Sequence, residues 1–311
     1  MSTYKIKGPR PNADSHVETL ADYFEVRAIC DSNYEVSLKD IIKQFLRPGD
    51  ESIDTGITDM EDRISERLEP VIEAINRRIF NSRGNYPFDL ELYGNVIKFK
   101  GFTSFSSYLY VYLLFATRLN MKDDKVFDNI DGTKLFEEIS ALVAKEYFGE
   151  RSSCMVFGTA AKGGFEDKVN DLCKQINEGI RFVNHGEGEV TENDDSLDIV
   201  VWNHFKDMRE NKLIGFGQCK TGTSYESYRK DLQPQDFCGK WIQKPINQIP
   251  VRLFFICDII EKEKFWKRSK DAGITFDRIR IMDYLPKNIT AGLEQNISTW
   301  SAHAIHFACN N

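Results

Sequence analysis

The pattern of apolar and polar positions changes character near residue 150. Before it, apolar residues recur every three or four positions. Ile64, Leu68, Val71, Ile72, Ile75 and Ile79 lie on one helical face within Asp62 to Phe80. Phe102 to Asn120 is apolar enough for a buried helix. Asp131 to Phe148 opens on Asp-Gly-Thr and carries Leu135, Phe136, Ile139, Leu142, Val143 and Tyr147 on one stripe, with Gly149 placed to end it. Phe88 to Phe102 reads as a short hairpin around Gly94-Asn95. After 150 the pattern alternates between strands and helices. Phe165 to Glu178 is an amphipathic helix with Phe165, Val169, Leu172, Cys173 and Ile176 on its inner face. Leu197 to Trp202 and Val251 to Cys257 are nearly unbroken apolar runs, as strands covered on both faces require. Leu213 to Cys219 is a further strand, Asp236 to Gln243 a short helix, Lys262 to Asp271 a basic helix, and Ile274 to Tyr284 a last strand. The sequence therefore predicts an α/β fold with a mixed central sheet flanked by helices over residues 151–311, preceded by a mainly helical domain over 1–150.

Composition sharpens this in three places. The 41% hydrophobic and 12% aromatic content supplies a real core. The longest apolar run, Tyr108 to Ala116, is too short to span a bilayer, and Met1 to Lys5 has no apolar leader, so the sequence points to the cytoplasm and to no membrane. Seven cysteines, at 30, 154, 173, 219, 238, 257 and 309, have no C-x-x-C spacing and read as free thiols in a reducing compartment. The net charge is −7, yet it is unevenly spread. Residues 1–150 hold 19 Lys+Arg against 26 Asp+Glu, whereas residues 220–270 hold 11 against 6. A phosphate-contacting face needs local rather than global positive charge.

The candidate chemistry sits where the sheet begins. Pairing Leu197–Trp202 against Leu213–Lys220 about a turn near Met208 sets Asp198 opposite Gln218. Gln218 and Lys220 leave the same strand face. Polar groups gathered at the end of an apolar sheet are costly unless they have partners, and a cation and a phosphate would provide them. Asp198 offers an anionic oxygen suited to Mg²⁺, Gln218 a neutral one and the Cys219 carbonyl another. Lys220 can orient the attacking water or offset charge on the phosphate. Glu166, opening the helix before these strands, is the candidate to complete the metal set.

The segments Gly163-Gly164-Phe165-Glu166, Asp198-Ile199-Val200-Val201 and Gln218-Cys219-Lys220, in that order, resemble the PD-(D/E)xK, or restriction-endonuclease-like, nucleases, and within them the Mrr-like branch with Gln-x-Lys. The resemblance covers about residues 151–285. It implies a restriction-endonuclease-like core, phosphodiester hydrolysis with Mg²⁺ or Mn²⁺, DNA as substrate with RNA left open, and a role in prokaryotic restriction or anti-phage defence. Thr221, Thr223, Ser224, Tyr225, Arg229, Lys230, Lys240 and Lys244 are the candidate nucleic-acid contacts, with Tyr228, Trp241 and Trp266 interleaved. The acidic 1–150 region suits a protein partner, an ATPase or helicase subunit, or a second copy of the chain. The alternative is a catalytically silent subunit of a larger complex that keeps a nuclease-like fold.

Other acids and histidines have plainer readings. Asp194 and Asp195 compete for the acid position but sit in a polar lead-in, and Glu187 and Glu189 flank glycines. His303 and His306 lack a third ligand for zinc. The Cys219 side chain should face away from Gln218 and Lys220 as packing.

Overall fold

The computed structural model describes residues 11–46, 54–186 and 196–310. The N-terminal part contains α1 (Val17–Cys30), β1 (Glu35–Ser37), α2 (Leu38–Phe45), α3 (Asp54–Asn81), β2 (Phe88–Glu91), β3 (Val96–Phe99), α4 (Phe105–Arg118), β4 (Val126–Phe127), β5 (Ile130–Asp131) and α5 (Gly132–Phe148). The expected hairpin is β2–β3, and β1 adds to it in the order β1-β3-β2. There follow β6 (Ser152–Val156), α6 (Phe165–Ile176), β7 (Ile199–Asn203), β8 (Ile214–Lys220), α7 (Pro234–Trp241), β9 (Val251–Ile256), α8 (Phe265–Ser269), β10 (Ile274–Phe276), α9 (Arg278–Asp283) and α10 (Ala291–Asn310).

The five-stranded sheet runs β10-β9-β8-β7-β6. The β6–β7 and β7–β8 pairs are antiparallel, and β8–β9 and β9–β10 are parallel. Ile199 pairs with Gly217 and Val201 with Gly215, the register the sequence predicted about Met208. One sheet face, with Ile199, Val201, Leu253 and Phe255, lies in the core that also holds α1, α3, α4, α5 and α10. The other face, with Val200, Trp202, Ile214 and Phe216, packs under α6 and α7. Full burial of each such side chain contributes about 1.5–3 kcal/mol. Gly217 allows the tight packing on the first face, because a Cβ there would fall 2.5 Å from Ile199 Cγ1.

The first of these cores is continuous across residue 150, running from Leu20 to Ala308. Charge joins the same regions. Asp22 on α1 accepts from Arg78 of α3 (2.8 Å), Arg118 of α4 (2.6 Å) and Arg278 of α9 (2.9 and 3.0 Å), all buried. Burial alone would raise its carboxyl, but Arg118, Arg278 and Arg78 hold it far below the usual carboxylate range. Glu25, one turn on, accepts from Arg78, from Tyr110 at 2.9 Å and from Tyr86 at 2.6 Å.

Three expectations are corrected. The last strand ends at Phe276, because Asp277 accepts from the Arg280 amide and caps α9. An edge strand, β6, precedes α6, so the helix leading into the sheet is α5. Cys30 and Cys309 are joined in a disulfide, since the ends of α1 and α10 bring their Cα atoms to 5.5 Å; the other five cysteines are free thiols. No described helix is long and apolar enough to cross a membrane.

Candidate active site at the end of the sheet

Asp198 stands one residue before β7, clamped by backbone bonds on both sides. Its N–H donates to Gly217 O (2.9 Å), and its carbonyl accepts from Phe157 N (2.7 Å) and Gly158 N (2.8 Å). Continuing the β7–β8 register puts it opposite Gln218. Its Oδ2 accepts from the Cys219 amide at 2.6 Å. That bond leaves Oδ1 directed at the turn that follows β6.

Glu137 meets it there. This side chain projects from α5, whose N-terminus is capped by Asp131 accepting from the Thr133 amide. Glu137 is buried, and it accepts from Thr159 N (3.2 Å), Thr159 Oγ1 (2.7 Å) and Ala160 N (2.8 Å). A Cβ built on Gly158 would lie 2.8 Å from Glu137 Oε2 and 2.9 Å from Asp198 Oδ1, so both carboxylates lean over the same bare Cα. Burial, and next the Glu137 charge, push the Asp198 carboxyl up to about 7, against the Cys219 amide and Lys220, which lower it.

Gln218 is buried, and its Nε2 has no hydrogen-bond partner among the described residues. Lys220 is half-buried, with Nζ 4.9 Å above the Tyr228 ring and no carboxylate ion pair among the described residues. Gln218 and Lys220 share the sheet face that carries Phe216, while Cys219 packs on the α5 face, as alternation requires. Burial, then the Asp198 charge, push the Cys219 thiol well above its ordinary value, which suits packing and not nucleophilic attack. Cys219 enters the site through its N–H.

Glu166 occupies a different place. It is exposed in the first turn of α6 and has no hydrogen bond or ion pair to Asp198, Gln218 or Lys220. What α6 gives the site is Lys168, whose Nζ donates to Gly158 O at 2.9 Å and steadies the turn under the two carboxylates. Glu137 is thus the helix acid that the structure sets beside Asp198, and sequence reading missed it. Its signal was present: Glu137, Ser140, Ala141 and Ala144 line α5 at i, i+3, i+4 and i+7, one acid among small residues on a buried helix.

The expected nucleic-acid contacts separate into groups. Thr223 and Ser224 are exposed and Thr221 half-buried in the turn after Lys220, which the Gly222 amide ties to Ala116 O at 3.1 Å. Tyr225 is a core residue, packed against Phe254. Arg229 and Lys230 continue from the turn to the surface. Lys244 pairs with Glu210 at 2.8 Å beside the β7–β8 loop, the opposite end of the hairpin from Asp198. Lys240 is exposed near the end of α7, whose last residues bond to the 182–185 segment. Trp241 is buried and Trp266 is 75% exposed. Asp194, Asp195, Glu187 and Glu189 lie outside the described residues.

The two carboxylates over a glycine cradle fit a hard divalent cation in kind, whereas the orphaned Gln218 atom is an N–H donor suited to a phosphate oxygen. Among the described residues no group of three His, Cys, Asp or Glu side chains converges, so the Gln218 side-chain oxygen would have to serve as a ligand beside the two acids. In comparisons with known proteins, no family model, no curated protein and no solved structure matches the chain.

Proposed function

We propose that the protein is a metal-dependent nuclease, hydrolysing phosphodiester bonds in DNA, with Glu137, Asp198, Gln218 and Lys220 as its site. The observation that carries this reading is the meeting of Glu137 and Asp198 over Gly158, opposite Gln218 and Lys220, at one end of the sheet. The order α5–β6–α6–β7–β8–α7–β9, with β6, β7 and β8 as antiparallel neighbours and β9 parallel to β8, supports a restriction-endonuclease-like core.

In this reading Glu137, Asp198 and Gln218 hold Mg²⁺ or Mn²⁺, which when bound supplies Lewis-acid stabilisation of charge on the scissile phosphate. Thr159 and Ala160 fix Glu137, and the Cys219 amide fixes Asp198, so little reorganisation is needed on binding. Lys220, without a carboxylate ion pair among the described residues, orients the attacking water and offsets charge on the phosphate. The basic 220–270 segment begins at this lysine, and its first cations, Arg229 and Lys230, follow the turn after it. The helix α3, with exposed Asp62, Glu66, Glu69 and Glu73, offers an acidic surface for a protein partner, an ATPase or helicase subunit, or a second copy, which co-purification and light scattering would reveal.

The test is cleavage of supercoiled plasmid with Mg²⁺ or Mn²⁺ by wild type, Glu137→Ala, Asp198→Ala and Lys220→Ala. Nicking or linearisation that chelation stops and all three substitutions abolish supports the nuclease. Equal cleavage by wild type and variants sinks it. One observation favours a second reading, a silent nuclease-fold subunit: both Glu137 oxygens already accept hydrogen bonds from Thr159 and Ala160. Absence of cation binding by calorimetry together with absence of cleavage would select that reading.

A further inference from the structure

Beside Lys220 the surface brings cations and aromatic rings together on two joined segments. Lys220 Nζ lies over Tyr228, which is 43% exposed. The neighbouring Arg229 donates through Nη1 to Lys267 O at 3.3 Å, tying this turn to α8. There Trp266 stands in solvent with Lys270 Nζ 5.6 Å above its ring. The neighbouring Phe265 packs inward, with the Arg280 guanidinium 4.2 Å from its ring. Several nearby cations are neutralised: Lys264 by Glu261, Arg268 by Glu226 and Lys230 by Asp271. Lys220, Arg229, Lys267 and Lys270 have no carboxylate partner among the described residues. Four cations and two exposed rings thus lie at the candidate catalytic lysine, on the turn after it and on the α8 segment tied to it, with Asp271 felt by Arg229 and Lys270.

A tryptophan this exposed has a face to offer, and cations beside it suit a polyanion. A duplex hides the faces of its bases, whereas an unpaired strand presents them for stacking while its phosphates follow the cations. We infer that Trp266 and Tyr228 form a stacking platform for single-stranded nucleic acid, which feeds an unpaired strand toward Lys220. The inference rests on the nuclease reading for the direction of the strand, but the platform can be measured without cleavage.

The protein supplies its own probe. Of its four tryptophans, Trp202, Trp241 and Trp300 are buried, so long-wavelength emission reports Trp266. Full-length protein in EDTA is titrated with an oligothymidylate, an oligouridylate and a duplex of about 20 units each, a span covering the patch. Both single strands are expected to quench that emission in wild type. Trp266→Ala should weaken single-strand binding, followed by anisotropy, roughly 5- to 100-fold. Trp266→Tyr should restore most of it, and the duplex should be indifferent to either change. Absence of quenching, equal binding by Trp266→Ala, or binding of anionic vesicles in place of strands overturns the platform. The two proposals fail separately. Plasmid cleavage abolished in Asp198→Ala alongside unchanged strand binding in Trp266→Ala removes the platform alone. Trp266-dependent strand binding by a chain that cuts nothing removes the nuclease alone.

Discussion

Glu137 and Asp198 come from helix and strand positions 61 residues apart and lean over the same glycine, Gly158, with one oxygen of each within 2.9 Å of the point where a Cβ would stand. Two carboxylates held this close repel unless a proton or a cation lies between them.

That pair separates two assignments of the helix acid. Glu137→Ala should lower metal-dependent cleavage by about 100-fold or more, as loss of a preorganised charge-stabilising group does. Glu166→Ala, at an exposed position on α6, should leave it within about twofold. Initial rates of plasmid nicking at saturating Mg²⁺, with circular dichroism to confirm folding, decide between them; the reverse pattern would restore Glu166.

Gly158→Ala is a finer probe, since it adds one methyl and removes no functional group. The methyl would enter between Glu137 Oε2 and Asp198 Oδ1 and force them to shift. Metal affinity is expected to fall about 10- to 100-fold, the range for a disturbed supporting group, with a loss of stability of about 1–3 kcal/mol. Isothermal titration with Mn²⁺ reads the first and urea unfolding the second; unchanged Mn²⁺ affinity would show that the cradle is not the cation site.

The same pair makes the metal-free protein pH-sensitive. Asp198 has an ordinary value of 3.8 and is pushed up to about 7 when folded, by burial and then by Glu137. The folded state therefore binds this proton more tightly than the unfolded chain. Its stabilising effect is full below about pH 4 and is lost as pH rises through about 7. In chelator, the thermal midpoint of wild type should decline across that window relative to Asp198→Asn. Mg²⁺ should raise the midpoint more at about pH 8 than at about pH 5.5. Parallel pH profiles for wild type and Asp198→Asn would remove the coupling.

Arg278→Met tests the buried charge network. It leaves Asp22 with two of its three arginine partners in a fully buried site. A loss of about 3–5 kcal/mol is expected, the cost of breaking a buried pair on one side. The check is the urea midpoint, and a change under about 1 kcal/mol would mean that Arg78 and Arg118 suffice.

Much of this was legible in the sequence because it depends on period and register. The apolar runs of β7 and β9 and the symmetry about Met208 give the Asp198–Gln218 juxtaposition directly. The helix acid was hidden by a single short strand. Ser152–Val156 begins with two serines, lies at the sheet edge and has no unbroken apolar run, so β6 leaves little trace. Without β6, α5 reads as the end of a helical domain, and the acid is sought on the next helix. The fate of the tryptophans was equally hidden. Trp241 and Trp266 both sit among lysines in the sequence, and only tertiary packing buries one and exposes the other. The Cys30–Cys309 bond spans 279 residues, a separation no local pattern can announce.

The Asp22 network also constrains the order in which the molecule can be completed. Arg278 and its carboxylate are 256 residues apart, so α1 leaves the ribosome long before its last counter-ion is made. Until then Asp22 has Arg78 and Arg118 alone, and burying it lacks the two further bonds that Arg278 donates. The first helix is thus fully held only after Arg278 has been made, and Cys309 reaches Cys30 later still. A nascent chain stopped before Arg278 should be cut by protease at α1 more readily than one extended past it, so the firmness of an early helix is set by a residue made late.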